Sequence, residues 1–88
     1  MHATVYEVAP KPDWQGDVEA ELDMIVASTK EDPAFVSGLW LSDGTTALAI
    51  VVLESEAAAR AAAEGAAIPP EASVTLRSAK VYEVNRTA

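Results

Sequence analysis

The stretch from Ala34 to Ser55, AFVSGLWLSDGTTALAIVVLES, constrains this chain more than any other. It reads as a strand, a tight turn, a second strand and the start of a helix. Asp43-Gly44 supplies the turn, because a type I′ hairpin needs positive φ at both central residues and Asp-Gly tolerates it. Counting outward from that pair sets Ser42 against Thr45, Trp40 against Ala47, Leu39 against Leu48 and Phe35 against Val52. One face then carries Phe35, Leu39, Leu41, Leu48, Ile50 and Val52. The other carries Val36, Gly38, Trp40, Ala47, Ala49, Val51 and Leu53. Neither face is polar, so the second strand is expected to be buried on both sides.

The rest of the chain is short of material to cover such a hairpin. With 88 residues it forms one domain spanning residues 1–88. A chain of this size buries only about 60–65% of the surface its unfolded form exposes. There is no cysteine, so neither disulfides nor thiolate metal sites reinforce the core. Self-association is the remaining common route.

Net charge narrows the partners. Fourteen acidic residues against six basic ones leave −8. Nucleic acid is a poor partner, since duplex binding depends on Lys and Arg neutralising phosphates. Anionic membrane surfaces repel the chain for the same reason. No basic region followed by an apolar stretch opens the sequence, and the longest apolar run, Ala47 to Leu53, is far too short to span a bilayer. The expectation is a soluble cytoplasmic protein without membrane or nucleic-acid partners.

Ala3 to Val8 reads as a first strand, ended by Pro10-Lys11-Pro12. Asp13 can cap a helix from Trp14, with Trp14, Val18, Leu22, Ile25 and Val26 on one stripe, although Gly16 moves the start toward Asp17. Glu31-Asp32-Pro33 ends it. After the hairpin, Ser55 caps a second, alanine-rich helix to about Ala63, with Gly65 as its C-terminal cap. Glu56–Arg60 and Arg60–Glu64 are i,i+4 pairs on it. Pro69-Pro70 forces an extended connection. Ser73 to Val84 reads as a last strand, or two short ones interrupted near Ser78-Ala79-Lys80. Val5-Tyr6-Glu7-Val8 recurs as Val81-Tyr82-Glu83-Val84, which points to two strands in similar surroundings.

The resulting order, β-α-β-β-α-β, is the ferredoxin-like α+β arrangement. A four-stranded antiparallel sheet carries both helices on one face, and its first and last strands are adjacent. The other face stays open. An apolar hairpin fits that architecture only if a second sheet covers it, so a homodimer packed sheet against sheet is expected.

The run Asp32-Pro33-Ala34-Phe35-Val36-Ser37-Gly38, then Leu39-Trp40-Leu41, a turn, an apolar strand and Glu54-Ser55-Glu56-Ala57-Ala58 resembles the dimeric α/β-barrel proteins. It is most similar to their antibiotic biosynthesis monooxygenase-like branch. That branch has a Pro-Gly-Phe-Val-type segment entering the second strand, where Ala34 here replaces the glycine. The resemblance implies a dimeric α/β barrel and supports fold more than function. Some members oxidise polycyclic phenols with oxygen and no cofactor, and others degrade heme with a histidine on the second helix. This second helix has no histidine, so heme degradation is not expected.

Few residues can carry chemistry. His2 is the only histidine, with a suitable intrinsic pKa but beside the first residue. Glu19, Glu21 and Asp23 read as a solvated helix face, and no metal-ligand spacing is present. Trp40, ringed by Gly38, Ala47 and Ala49, either packs in the core or lines a pocket between sheet and helices where an aromatic ligand stacks. Tyr6, Tyr82 and His2 complete the candidate pocket, with Tyr6 and Tyr82 also readable as residues bracketing a sheet edge. No Asn lies on the first strand or hairpin, a group some active family members use. Two functions remain open: a cofactor-independent, monooxygenase-like enzyme acting on an aromatic metabolite, or a non-catalytic dimer binding a small ligand or another protein. No cofactor is expected in either.

Overall fold

A computed structural model describes residues 1–88. The elements are β1 (His2–Pro10), α1 (Val18–Lys30), β2 (Phe35–Ser42), β3 (Ala47–Leu53), α2 (Glu56–Glu64) and β4 (Val74–Glu83). The sheet is wholly antiparallel in the order β2-β3-β1-β4. This is the ferredoxin-like α+β fold, and β1 and β4 are neighbours as the repeated Val-Tyr-Glu-Val segments indicated.

α2 packs on one face of the sheet, against β1, β3 and β4, and the crossover rule puts α1 on the same side. The β1-α1-β2 and β3-α2-β4 connections each join parallel strands across one intervening strand, and a right-handed crossover in both places the two helices together. Period-two alternation then sorts the side chains. Cross-strand rows on the helix face are Phe35–Leu53–His2–Glu83, Gly38–Val51–Thr4–Val81, Trp40–Ala49–Tyr6–Ala79 and Ser42–Ala47–Val8–Leu76. The core sits here: Val51, Leu53 and Ala59 are buried, and Tyr6, Phe35, Trp40, Ala58, Ala62 and Val81 pack around them.

Two details of the hairpin differ from the sequence expectation. The tip is Gly44-Thr45 rather than Asp43-Gly44, so Trp40 faces Ala49 and Leu39 faces Ile50. Only Gly44 has positive φ, at 95°. Asp43 ends the strand instead, its Oδ1 accepting from Thr45 N, Thr46 N and Thr45 Oγ1 at 2.8–3.0 Å. Those bonds hold its carboxyl below the usual carboxylate range. The register moves by two residues, an even step, so Leu39, Leu41, Leu48 and Ile50 keep the face assigned to them. A β-bulge at Val36 makes the second correction. It turns Phe35 from the open face to the helix face, where it pairs with Leu53.

The helices begin where their capping side chains allow. Asp17 caps α1 by accepting from Ala20 N at 3.1 Å, and Ser55 caps α2 by accepting from Ala58 N at 3.1 Å. Trp14 therefore lies outside α1, not on its stripe. Its ring folds over Gly16, where a Cβ would collide with it, and its Nε1 donates to Glu71 O at 2.8 Å. β4 is one strand with a bulge at Arg77, not two. On α2, Arg60 pairs with Glu56 at 2.8 Å and forms no ion pair with Glu64.

Candidate functional site

The four candidate residues do not converge. Tyr82 pairs with Ala3 and so projects from the open face, away from the other three. The sequence echo concealed this, because Tyr6 pairs with Ala79 and not with Tyr82. His2 lies on the helix face but four residues from Tyr6 along β1, about 13 Å at strand rise. Its Nδ1 is buried and takes no hydrogen bond. His2 sits by the start of α2, where its charge helps hold the Glu56 carboxyl low, after the larger effect of Arg60.

Trp40 and Tyr6 do belong together. They occupy one row, two strand spacings or about 10 Å apart, with Ala49 between them. Ala47 lies next to Ala49 on the same face of β3. Two large aromatic side chains therefore flank a floor of two alanines. That floor is only partly buried, although β3 is an interior strand and the face is the one on which α2 packs. The indole of Trp40 lies over Gly38: a Cβ there would come within 2.7 Å of Cζ3 and Cη2. Gly38 thus sets the ring down against the sheet, which makes Trp40 a low wall rather than a plug.

Tyr6 is tied down. Its hydroxyl donates to Ala62 O at 3.4 Å, one of the carbonyls in the last turn of α2. Burial, and secondarily the charge of Asp32, raise its pKa above the ordinary 10.0. The phenol stays protonated near neutral pH and can donate a proton in a hydrogen bond but not act as a base. Below it on β1, Thr4 is fully buried and donates from Oγ1 to Ala59 O at 2.8 Å. The row Trp40–Ala49–Tyr6–Ala79 therefore presents aromatic and methyl surface and carries no carboxylate or imidazole.

Elsewhere, two open surface concavities of about 260 and 180 Å³ lie between α2 and β4 and beside the 66–70 connection. Neither includes Trp40, Tyr6, Tyr82 or His2. No group of three or more His, Asp or Glu side chains could hold a metal ion.

Sequence reasoning missed one anchoring residue. Glu21 is not part of a solvated acidic face with Glu19 and Asp23. It is half-buried, accepts from Ser73 N at 3.0 Å, and also accepts from Ser73 Oγ. Its position on the inward stripe, three residues after Val18 and four before Ile25, was the available signal.

No helix is long and apolar enough to cross a membrane. A scan against known protein families found no matching model, and no curated protein and no solved structure matches the chain.

Proposed function

We propose that this protein is a non-catalytic, homodimeric binding protein that holds a planar aromatic small molecule beside Trp40. The observation that carries the reading is the row Trp40–Ala49–Tyr6, with its alanine floor not fully buried although it lies on an interior strand. Flat apolar ligands stack on indole faces, and a site of this composition binds through shape and aromatic contact. The absence of a general base on those rows favours binding over turnover.

The dimer rests on the opposite face. Leu39, 58% exposed, and the exposed Leu41 lie beside half-buried Leu48, Ile50, Val52 and Val5, with Tyr82 at 52% on the far strand. An apolar field of this kind calls for a partner. Glu7 and Lys80 are its only charges apart from the bulged Arg77, so the face is nearly neutral on a chain of −8. Two acidic copies would meet there without the repulsion that the helix side would impose. Sheet-to-sheet pairing of this kind is the assembly that the dimeric α/β-barrel resemblance implies.

The ligand reading is tested by calorimetry against a panel of naphthols, anthrones and quinols. Binding that Trp40→Ala weakens at least about tenfold, without oxygen uptake, supports it. No binding by any member would overturn it, and oxygen consumption abolished by Trp40→Ala would replace it with the cofactor-independent oxygenase. Light scattering tests the dimer separately. A two-chain mass that Leu39→Lys reduces to one chain supports it, and a single-chain mass for the unaltered protein rules it out.

A further inference from the structure

β4 is one edge of the sheet and has no strand on its outer side. The direction of its backbone groups follows from the ladder to β1. Val84 N donates to Met1 O at 3.1 Å, so Met1 and Val84 form a hydrogen-bonded pair. Such pairs alternate with unbonded ones along the register His2↔Glu83, Ala3↔Tyr82, Thr4↔Val81, Val5↔Lys80, Tyr6↔Ala79. Tyr82 and Lys80 therefore bond to β1, while the N–H and C=O groups of Glu83, Val81 and Ala79 point outward. An edge of this kind is a template for another strand. Near the start of β4, the 66–70 connection shares the 180 Å³ hollow with Val74, Thr75 and Leu76. Farther along, the edge borders the open 260 Å³ concavity, lined by Arg60, Ala63 and Glu64 of α2 and by Ala79 and Val81.

Charge selects what can add there. Residues 56–88 carry four acidic and four basic side chains, so the whole −8 of the chain belongs to residues 1–55. Arg77 and Lys80 are the only Lys or Arg in the four strands, and Arg60 lines the adjoining concavity. A second copy can approach this edge without the repulsion that residues 1–55 would impose. Because only Ala79, Val81 and Glu83 face outward, two antiparallel β4 strands have few registers open to them. A centre on Lys80 sets two lysines opposite each other. A centre on Ala79 brings Val81 against the bulged Arg77, and a centre on Tyr82 runs Ala79 past the end of the strand. A centre on Val81 uses all three outward residues, with Val81 on the partner's Val81 and Ala79 on the partner's Glu83. Lys80 then lies opposite the partner's Tyr82, a residue 52% exposed in the single chain, where ammonium and ring attract. On the helix side the partner's Glu83 falls beside Ala79, at the concavity that Arg60 lines. Arg60 already holds Glu56 at 2.8 Å, and its guanidinium has donors to spare.

We propose that the free edge of β4 from Ser78 to Glu83 is a second self-association surface, on which another copy of this chain adds its own β4, antiparallel and centred on Val81. The two four-stranded sheets become one, and the partner's Glu83 pairs with Arg60. The contact is short, so it is weak and shows only in concentrated protein. It depends neither on the open-face dimer nor on a ligand.

The test joins sedimentation velocity over a concentration series to residue-resolved amide exchange by NMR on the full chain. Particle mass doubles as concentration rises. The amides of Ala79, Val81 and Glu83 gain protection in step with it, whereas those of Lys80 and Tyr82 are protected throughout. Glu83→Lys moves the doubling to at least about tenfold higher concentration, and adding Arg60→Glu moves it back. Leu39→Lys, on the open face, leaves the doubling in place. A mass that stays constant across the series would overturn the edge contact. Doubling without protection at the three outward amides, or doubling that Leu39→Lys abolishes, would overturn it equally. A double variant no better than Glu83→Lys alone would overturn the Val81 register. Should the open-face dimer fail, the unaltered protein passes from one chain to two, and the edge contact stands.

Discussion

α2 is seated on the sheet and α1 is not, and the difference between them is one of side-chain size. α2 is built from alanine: the 9-residue helix EAAARAAAE presents Ala58, Ala59 and Ala62 to the sheet and approaches until Ala59 has no exposed surface. At that distance β1 hydroxyls reach helix carbonyls, and Thr4 and Tyr6 bond to Ala59 and Ala62. α1 carries valine, leucine, isoleucine and methionine, more apolar surface than α2, and buries none of it fully. Apolar content therefore did not decide which helix docks. Close approach did, since it allows both dispersion contact and hydrogen bonds that a larger side chain would hold apart.

Six substitutions would break or sharpen that contrast. The largest effect is expected for Ala59→Leu, which overpacks the α2 contact and costs about 1–3 kcal/mol or more, whereas Ala27→Leu on exposed α1 changes stability by less than about 0.5 kcal/mol. Urea denaturation compares the two, and equal effects would mean that α2 is no more tightly seated than α1. Next, Gly38→Ala drives a methyl into the Trp40 ring and costs about 1–3 kcal/mol; a red-shifted Trp40 emission would report the ring lifting toward solvent. An unchanged spectrum and stability would place the indole elsewhere.

Thr4→Val tests the hydroxyl link alone, because it keeps the shape and removes the donor to Ala59 O. The expected loss is about 0.5–1.5 kcal/mol in the same denaturation assay. Tyr6 adds a pH signature. Its folded pKa is raised above 10.0, so the unfolded chain gives up its proton first. Stability is then unaffected below that value and falls as pH climbs from it toward the folded value. Tyr6→Phe removes this part of the alkaline loss, which urea midpoints at pH about 8 and about 11 would register. A small effect is expected for Ile25→Ala on α1, within about 0.5–1 kcal/mol, since the side chain is already exposed. A loss of several kcal/mol there would show that α1 is docked in solution.

How far the chain could be read in advance varies from element to element for physical reasons. The hairpin faces were legible because period-two alternation survives an even register error, and Asp43 in place of a positive-φ tip residue made the error two. Phe35 was misplaced because a bulge inserts one residue and inverts the parity, and nothing local to Phe35-Val36-Ser37 marks it. The candidate pocket residues separate for a related reason. Tyr6 and Tyr82 sit in identical four-residue segments, yet the offset between β1 and β4 sends them to opposite faces. Glu21 looked like one of three solvated acids, and only the return of β4 beside the first turns of α1 supplies its partner.

Local rules alone therefore determined the element order, the Ser55 cap of α2 and the two-sided apolar hairpin, because each depends on residues within a few positions of one another, whereas the cap of α1 is Asp17 and not Asp13. They also determined that an 88-residue chain without cysteine would have a thin core, which the six buried residues bear out. Tertiary structure decided the rest. It set Trp40 and Tyr6 in one row with Ala49 between them, removed Tyr82 and His2 from that company, and joined Glu21 to Ser73 across 52 positions of chain. Strand register and helix seating are set by contacts between distant segments, whose geometry no local pattern encodes.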